Sequence, residues 1–202
     1  MRVGVLASGA GTNLQALIDR AHGRDGVELV AVASDKPDAP ALERGRGAGI
    51  AAAVFAGSDF ADRPARDRAM RDWLLSNDVE LVVLAGYVQL LEAEFLDAFP
   101  DRVINVHPGL LPAFPGLNAV EQAIEYGVKV FGVTVHFVDG GIDTGPVILQ
   151  RAVELPSARG ADEVLERLHE IEHELLPEAV ALISGGAVSF DPTNPRRVVL
   201  AR

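Results

Sequence analysis

Asn105 and His107 close a short apolar run, Arg102-Val103-Ile104, and their types and spacing suggest chemistry. In an extended strand alternate side chains share a face, so the amide and the imidazole emerge together and Val106 turns away. Pro108 stops the ladder, and the three prolines and two glycines of 108–116 set an irregular, rigid loop after it. An amide that donates and an imidazole that moves a proton suit a reaction at a polar, carbonyl-like group. A carboxylate would complete the set. The stretch Asp139-Gly140-Gly141-Ile142-Asp143-Thr144-Gly145-Pro146 offers two, although Gly and Asp are also ordinary turn residues. An Asp beside His107 would favour the protonated imidazole. His136, in the strand before this turn, reads as a satisfied core or supporting residue.

A second locus is Ala7-Ser8-Gly9-Ala10-Gly11-Thr12-Asn13, between a strand and a helix. Its glycines let backbone approach a ligand, and a helix N-terminus there presents amides to an anion. Leu14 stands where a dinucleotide fingerprint needs a third glycine, and Thr12 and Asn13 suit a phosphate monoester instead. The segment 84–91, Leu84-Ala85-Gly86-Tyr87-Val88-Gln89-Leu90-Leu91, follows a buried strand and suits the wall of a flat-ring pocket, or plain core. On the last long helix His169 and Glu172 fall at i, i+3; Glu172 borders the apolar face and could point toward a cleft, but a solvated helix face is the favoured reading. His169 and His173 lack a nearby third ligand, so no metal site is expected.

These loci need positioning elements. Strands are expected at 2–7, 28–34, 52–54, 80–85 and 102–107, alternating with helices at 12–22, 39–48, 63–76 and 92–98. Asp62 and Pro64 mark the start of the third helix. Near-continuous apolar strands separated by helices indicate a parallel sheet covered on both faces. A helix at 118–126 then leads to strands 131–138 and 146–154, whose short separation permits antiparallel pairing. A helix at 162–183 presents Val164, Leu168, Ile171, Leu175, Ala179 and Leu182 on one face, with a kink expected at Pro177. The tail carries a short strand pair at most. The expected architecture is α/β, Rossmann-like and three-layered: mostly parallel, with an antiparallel portion in the C-terminal half. One domain spans 1–202, with 1–100 as one half, 101–184 as the other and 185–202 as a tail.

With 202 residues and 49% apolar residues the chain is long enough for one large globular domain. A net charge of -11 disfavours nucleic acid, whose phosphates need Lys and Arg, but leaves small anions open. No apolar run approaches the ~20 residues of a membrane span. The start at Met1 enters a strand directly and lacks the form of a signal peptide. The absence of cysteine removes disulfides, thiolate metal sites and cysteine nucleophiles, in keeping with a cytoplasmic protein.

Taken together, Ser8-Gly9-x-Gly11-Thr12-Asn13-Leu14-Gln15, Asn105-x-His107-Pro108-x-Leu110-Leu111-Pro112, and Thr134-Val135-His136-Phe137-Val138 running to Asp143-x-Gly145-Pro146 resemble the phosphoribosylglycinamide formyltransferase family. The resemblance runs from residue 1 to about 184, in order and spacing. It implies attack of the glycinamide ribonucleotide amine on the formyl carbon of 10-formyltetrahydrofolate, with the folate as co-substrate and no metal or redox cofactor. By similarity Asn105, His107 and Asp143 form the catalytic group. Gly11, Thr12 and Asn13 match the ribonucleotide-phosphate loop, and Glu172 a carboxylate that contacts the ribonucleotide. Arg63, Val88, Gln89, Leu90, Leu91 and Asn105 match folate-binding positions. The implied partners are these two small molecules, with neither nucleic acid nor membrane, and a homodimer is left open. Three departures stand out: Gly109 where Ser is frequent, Ala113 where Lys is common, and Gln89 in place of an Arg of some relatives.

Formyltetrahydrofolate hydrolase shares the residues but resembles a longer chain with a leading regulatory domain, and water needs no phosphate loop. Methionyl-tRNA formyltransferase is disfavoured by the acidic charge and by the lack of its C-terminal domain. A nicotinamide-dependent oxidoreductase is disfavoured by Leu14. A non-catalytic nucleotide-binding module would make Asn105 and His107 dispensable.

Overall fold

Strand β1 (Arg2–Leu6) buries every residue after Arg2, as a strand covered on both faces must. Around it the first half winds as strand and helix in turn. In order come α1 (Thr12–Arg20), β2 (Glu28–Ser34), α2 (Pro40–Gly47), β3 (Ala51–Val54), α3 (Arg63–Ser76), β4 (Leu81–Leu84) and α4 (Ala93–Ala98). The strand order is β3-β2-β1-β4 and every pair is parallel, with Val5 opposite both Val32 and Val83. Helix α2 packs on β2 and β3. Helix α3 begins where the sequence places it: the Asp62 carboxylate accepts from the Ala65 N–H at 2.7 Å, and Pro64 occupies the first turn. Such a cap contributes about 1 kcal/mol.

The computed structural model describes residues 1–158 and 160–201. It contains two compact units, Met1–Ile104 and a second that starts at Asn105. The division falls inside β5 (Val103–His107), so Asn105 and His107 belong to the second unit. That unit continues with α5 (Ala119–Tyr126), β6 (Val130–Phe137), β7 (Val147–Glu154), α6 (Ala161–Ser184), β8 (Val188–Asp191) and β9 (Asn194–Leu200), in the order β5-β6-β7-β9-β8. Antiparallel pairing arrives here, in β6 with β7 and in β8 with β9, while β7 meets β9 in parallel at Val147 and Arg197. The mostly parallel sheet with an antiparallel C-terminal part is the expected architecture.

Helix α6 packs on β6, β7 and α5. It buries Val164, Leu168, Leu175 and Ala179, leaves Ile171 and Leu182 half-buried, and continues helically through Pro177.

Candidate active site

The second unit gathers its polar side chains on Asp143. The end of β5 delivers Asn105 and His107, and β6 delivers His136. Asp143 Oδ2 lies 3.2 Å from His107 Nδ1, and Asp143 Oδ1 lies 3.5 Å from His136 Nε2. Asn105 Nδ2 donates to Asp143 Oδ1 at 3.3 Å and stands 3.2 Å from His136 Nε2. The alternation of the strand therefore holds: Asn105 and His107 reach the same carboxylate. Asp143 takes a left-handed φ of 52°, which Asp tolerates better than most residues. Its loop partner Asp139 is the turn residue, accepting from the Gly141 N–H at 3.0 Å and the Thr144 hydroxyl at 2.6 Å. One of the two expected carboxylates builds the turn and the other reaches the site.

Burial works against the charge of Asp143. Hydrogen bonds with His107, His136 and the Gly116 N–H outweigh it and hold the carboxyl well below its usual range. His107 is 3% exposed, and its Nε2 lies 2.9 Å from the Phe114 carbonyl. Each ring nitrogen thus faces an acceptor, and both contacts are hydrogen bonds only when the ring carries two protons. Both ring nitrogens are thereby occupied by oxygens of the second unit, which fixes the plane of the ring. His136 donates from Nδ1 to the Phe137 carbonyl at 2.8 Å, which leaves Nε2 toward Asn105 and Asp143.

The loop 108–116 is pinned from β6. Buried Thr134 donates its hydroxyl to the Gly109 carbonyl at 2.6 Å and accepts from the Leu111 N–H at 3.2 Å. Gln150 Nε2 adds bonds to Thr134 Oγ1 and to the Leu111 carbonyl. A Cβ on Gly109 would meet His107 Nε2 at 2.9 Å, so the departure at this position gives the imidazole room.

The first unit holds the glycine-bearing loop between β1 and α1. Gly11 is the N-cap of α1 with φ of 71° and, having no side chain, makes no cap hydrogen bond of its own. A Cβ there would stand 2.7 Å from Ala41 Cα, so only glycine lets the loop lie against α2. Arg44 of α2 donates to the Ala10 carbonyl at 2.8 Å. Gly9 and Ala10 are exposed, Thr12 is half-buried and Asn13 is buried. The result is a helix N-terminus on a braced loop, a kind of backbone arrangement whose amides can take an anion.

The same unit carries the other expected positions. Val88 and Leu90 are exposed large apolar residues, at 52% and 54%, and Leu91 is half-buried. Arg63 is exposed and bonds Glu92. Gln89 is held at both ends: Nε2 donates to Asp35 Oδ2 at 3.1 Å, and Oε1 accepts from Arg66 at 3.4 Å. Arg66 and Asp67, which the sequence reading passed over, are buried there as an ion pair.

In the second unit Glu172 is buried, at 6% exposed, which overturns a solvated-face reading for that residue, whereas His169 is exposed. His169 and His173 stack with ring centroids 6.3 Å apart. Among the described residues no group of three or more His, Asp or Glu is arranged to hold a metal ion. Among them, too, no helix is long and apolar enough to cross a membrane.

Comparison with known proteins matches residues 1–180 to the family described as formyl transferase. A phosphoribosylglycinamide formyltransferase of Bacillus subtilis is 38% identical over 182 residues, covering 90% of this chain and 93% of that protein. A trifunctional purine biosynthetic protein adenosine-3 of Drosophila melanogaster is 41% identical over 95% of this chain, which spans only 14% of that protein. The crystal structure of glycinamide ribonucleotide transformylase 1 from Symbiobacterium toebii superposes with a TM-score of 0.95 at 44% identity, covering 100% of this chain and 94% of that one.

Proposed function

This chain belongs to the formyl transferase family, and we propose that it moves the formyl group of 10-formyltetrahydrofolate onto the amine of 5'-phosphoribosylglycinamide in purine biosynthesis. The observation that carries the reading is the Asp143 carboxylate, held charged against the buried His107 with Asn105 on its other oxygen.

The amine nitrogen attacks the formyl carbon, and the carbonyl electron pair moves to oxygen. Hydrogen-bond donors aimed at that oxygen stabilise the tetrahedral intermediate, each contributing about 10²–10³ in rate. His107 offers a charged donor at Nε2, where the formyl oxygen competes with the Phe114 carbonyl, and Asn105 offers the amide. The attacking nitrogen loses one proton. The bond from the formyl carbon to the folate N10 then breaks, and N10 takes up one proton, so the count balances. His107 supplies and recovers that proton, directly or through water, while Asp143 orients the ring and holds its charge.

In this reading the N-terminal end of α1 at Gly11, Thr12 and Asn13 takes the ribonucleotide phosphate, and Glu172 contacts the ribonucleotide. Arg63 and Val88, Gln89, Leu90 and Leu91 face the folate, with Asn105 shared between binding and chemistry. A folate labelled at the formyl carbon tests the reaction. The label is expected in the ribonucleotide when both substrates are present. Release of labelled formate at the same rate without the ribonucleotide would overturn transfer in favour of hydrolysis.

A further inference from the structure

Helix α3 places two charged neighbours, Arg66 and Asp67, inside the first unit, at 4% and 1% exposed. Arg66 Nε and Nη2 both donate to Asp67 Oδ1, at 2.9 and 2.7 Å. A charge pair is costly to bury unless its remaining donors and acceptors are satisfied. Here those atoms point at one segment. Arg66 Nη2 donates to the Leu90 carbonyl at 3.3 Å, and Nη1 to Gln89 Oε1 at 3.4 Å. Asp67 Oδ2 accepts from the Glu92 N–H at 2.8 Å. Gln89 passes the network on to Asp35 at 3.1 Å.

The segment they hold, 87–92, contains neither helix nor strand, so it draws no order from a backbone ladder. Its first peptide is tied in turn by the buried Ser8 hydroxyl, which accepts from the Val88 N–H at 3.2 Å. Between these ties Val88 and Leu90 turn their side chains outward.

We propose that Arg66 and Asp67 are positioning residues for the folate: they fix the backbone of 89–92 so that Val88 and Leu90 are presented in one conformation. The inference rests on the reading of 88–91 as the folate wall. Ordering a loop in advance removes part of the entropy that a ligand must otherwise supply. The pair therefore acts on folate affinity and leaves the proton chemistry of the second unit alone. A pair that only stabilised α3 would lower stability and move no single KM.

The test uses the full chain with both substrates. In Arg66→Met/Asp67→Leu an apolar pair replaces the buried charges and keeps the packing. Its KM for the folate is expected to rise about tenfold, with kcat and the ribonucleotide KM within about twofold of wild type. Asp67→Asn, which keeps an acceptor for Glu92 but leaves the buried Arg66 charge without its carboxylate, is expected to raise the folate KM about threefold at a larger cost in stability. A folate KM within about twofold in either variant that folds overturns the proposal. A fall in kcat with both KM values unchanged overturns it equally. Leu90→Asp separates this from the underlying reading. A raised folate KM in Leu90→Asp, with none in the two positioning variants, overturns the positioning role alone. An unchanged folate KM in Leu90→Asp overturns the folate wall and the positioning role with it.

Discussion

His107 Nδ1 and Asp143 Oδ2 meet at 3.2 Å, although one ends a strand and the other sits in a loop beyond the next strand. The Phe114 carbonyl closes the other side of the ring at 2.9 Å. The two contacts hold the ring in one orientation. Replacing Asp143 by Asn offers the ring a weaker, neutral acceptor and leaves the size of the side chain. Asp143→Asn is expected to lower kcat by about 10²–10⁴ in protein that remains folded at the assay temperature, a loss separate from its lower stability at neutral pH. Steady-state kinetics with both substrates reads this. A kcat within a few-fold of wild type would remove Asp143 from the chemistry.

The same carboxylate predicts an acid-side stability loss. Its carboxyl is held below the usual range in the folded chain, so the folded state binds that proton less readily than the unfolded chain. The stabilisation it provides is complete above the unfolded value of about 3.9 and disappears as pH falls through the lower folded value. Urea unfolding of wild type and Asp143→Asn should therefore differ most near neutrality, and the gap should close below about pH 4. A gap that widens in acid would mean that the carboxyl is not depressed.

Gly109 leaves the imidazole its space. An added methyl would stand 2.9 Å from His107 Nε2, with Thr134 fixing the Gly109 carbonyl at 2.6 Å. The ring must then give way. Gly109→Ala is expected to lower kcat by about two- to tenfold, since a shift of a few tenths of an ångström relieves the contact and Ser is frequent at this position in relatives. Unchanged kcat in a folded Gly109→Ala protein would show that the ring position is not critical.

Gly11 carries a different strain. Its φ of 71° and the 2.7 Å approach to Ala41 Cα leave no place for a side chain. Gly11→Ala is expected to destabilise by at least about 1–2 kcal/mol, a fall in Tm of roughly 2–8 °C. It should also raise the ribonucleotide KM more than the folate KM. Thermal melts and the two KM values check this, and a selective rise in the folate KM would contradict the phosphate assignment.

The sequence made the scaffold readable because its signals are local. Asp62 and Pro64 start α3 at Arg63, and the Gly- and Asp-rich turn joins the antiparallel strands β6 and β7. Asn105 and His107 were readable because a strand ending in alternation is also local. Arg66 and Asp67 were hidden, and the partners of His136 and Glu172 with them, for one shared reason. Periodicity shows which face a residue occupies, but a charged or polar side chain on an inward face is recognisable only through its distant partner. His136 finds Asp143 and Asn105, and Arg66 finds Leu90 and Gln89, only after the chain has folded. Even so, the Thr134-Val135-His136 run inside a buried strand was a usable signal, since two polar residues there need internal partners.

The most direct test of the account is the turnover of His107→Ala with glycinamide ribonucleotide and 10-formyltetrahydrofolate, followed by the absorbance of the deformylated folate. Wild type is expected to turn over only with the ribonucleotide present, and the variant to show a kcat lower by about 10²–10⁴ with both KM values within a few-fold. Undiminished turnover by a folded His107→Ala protein would contradict it.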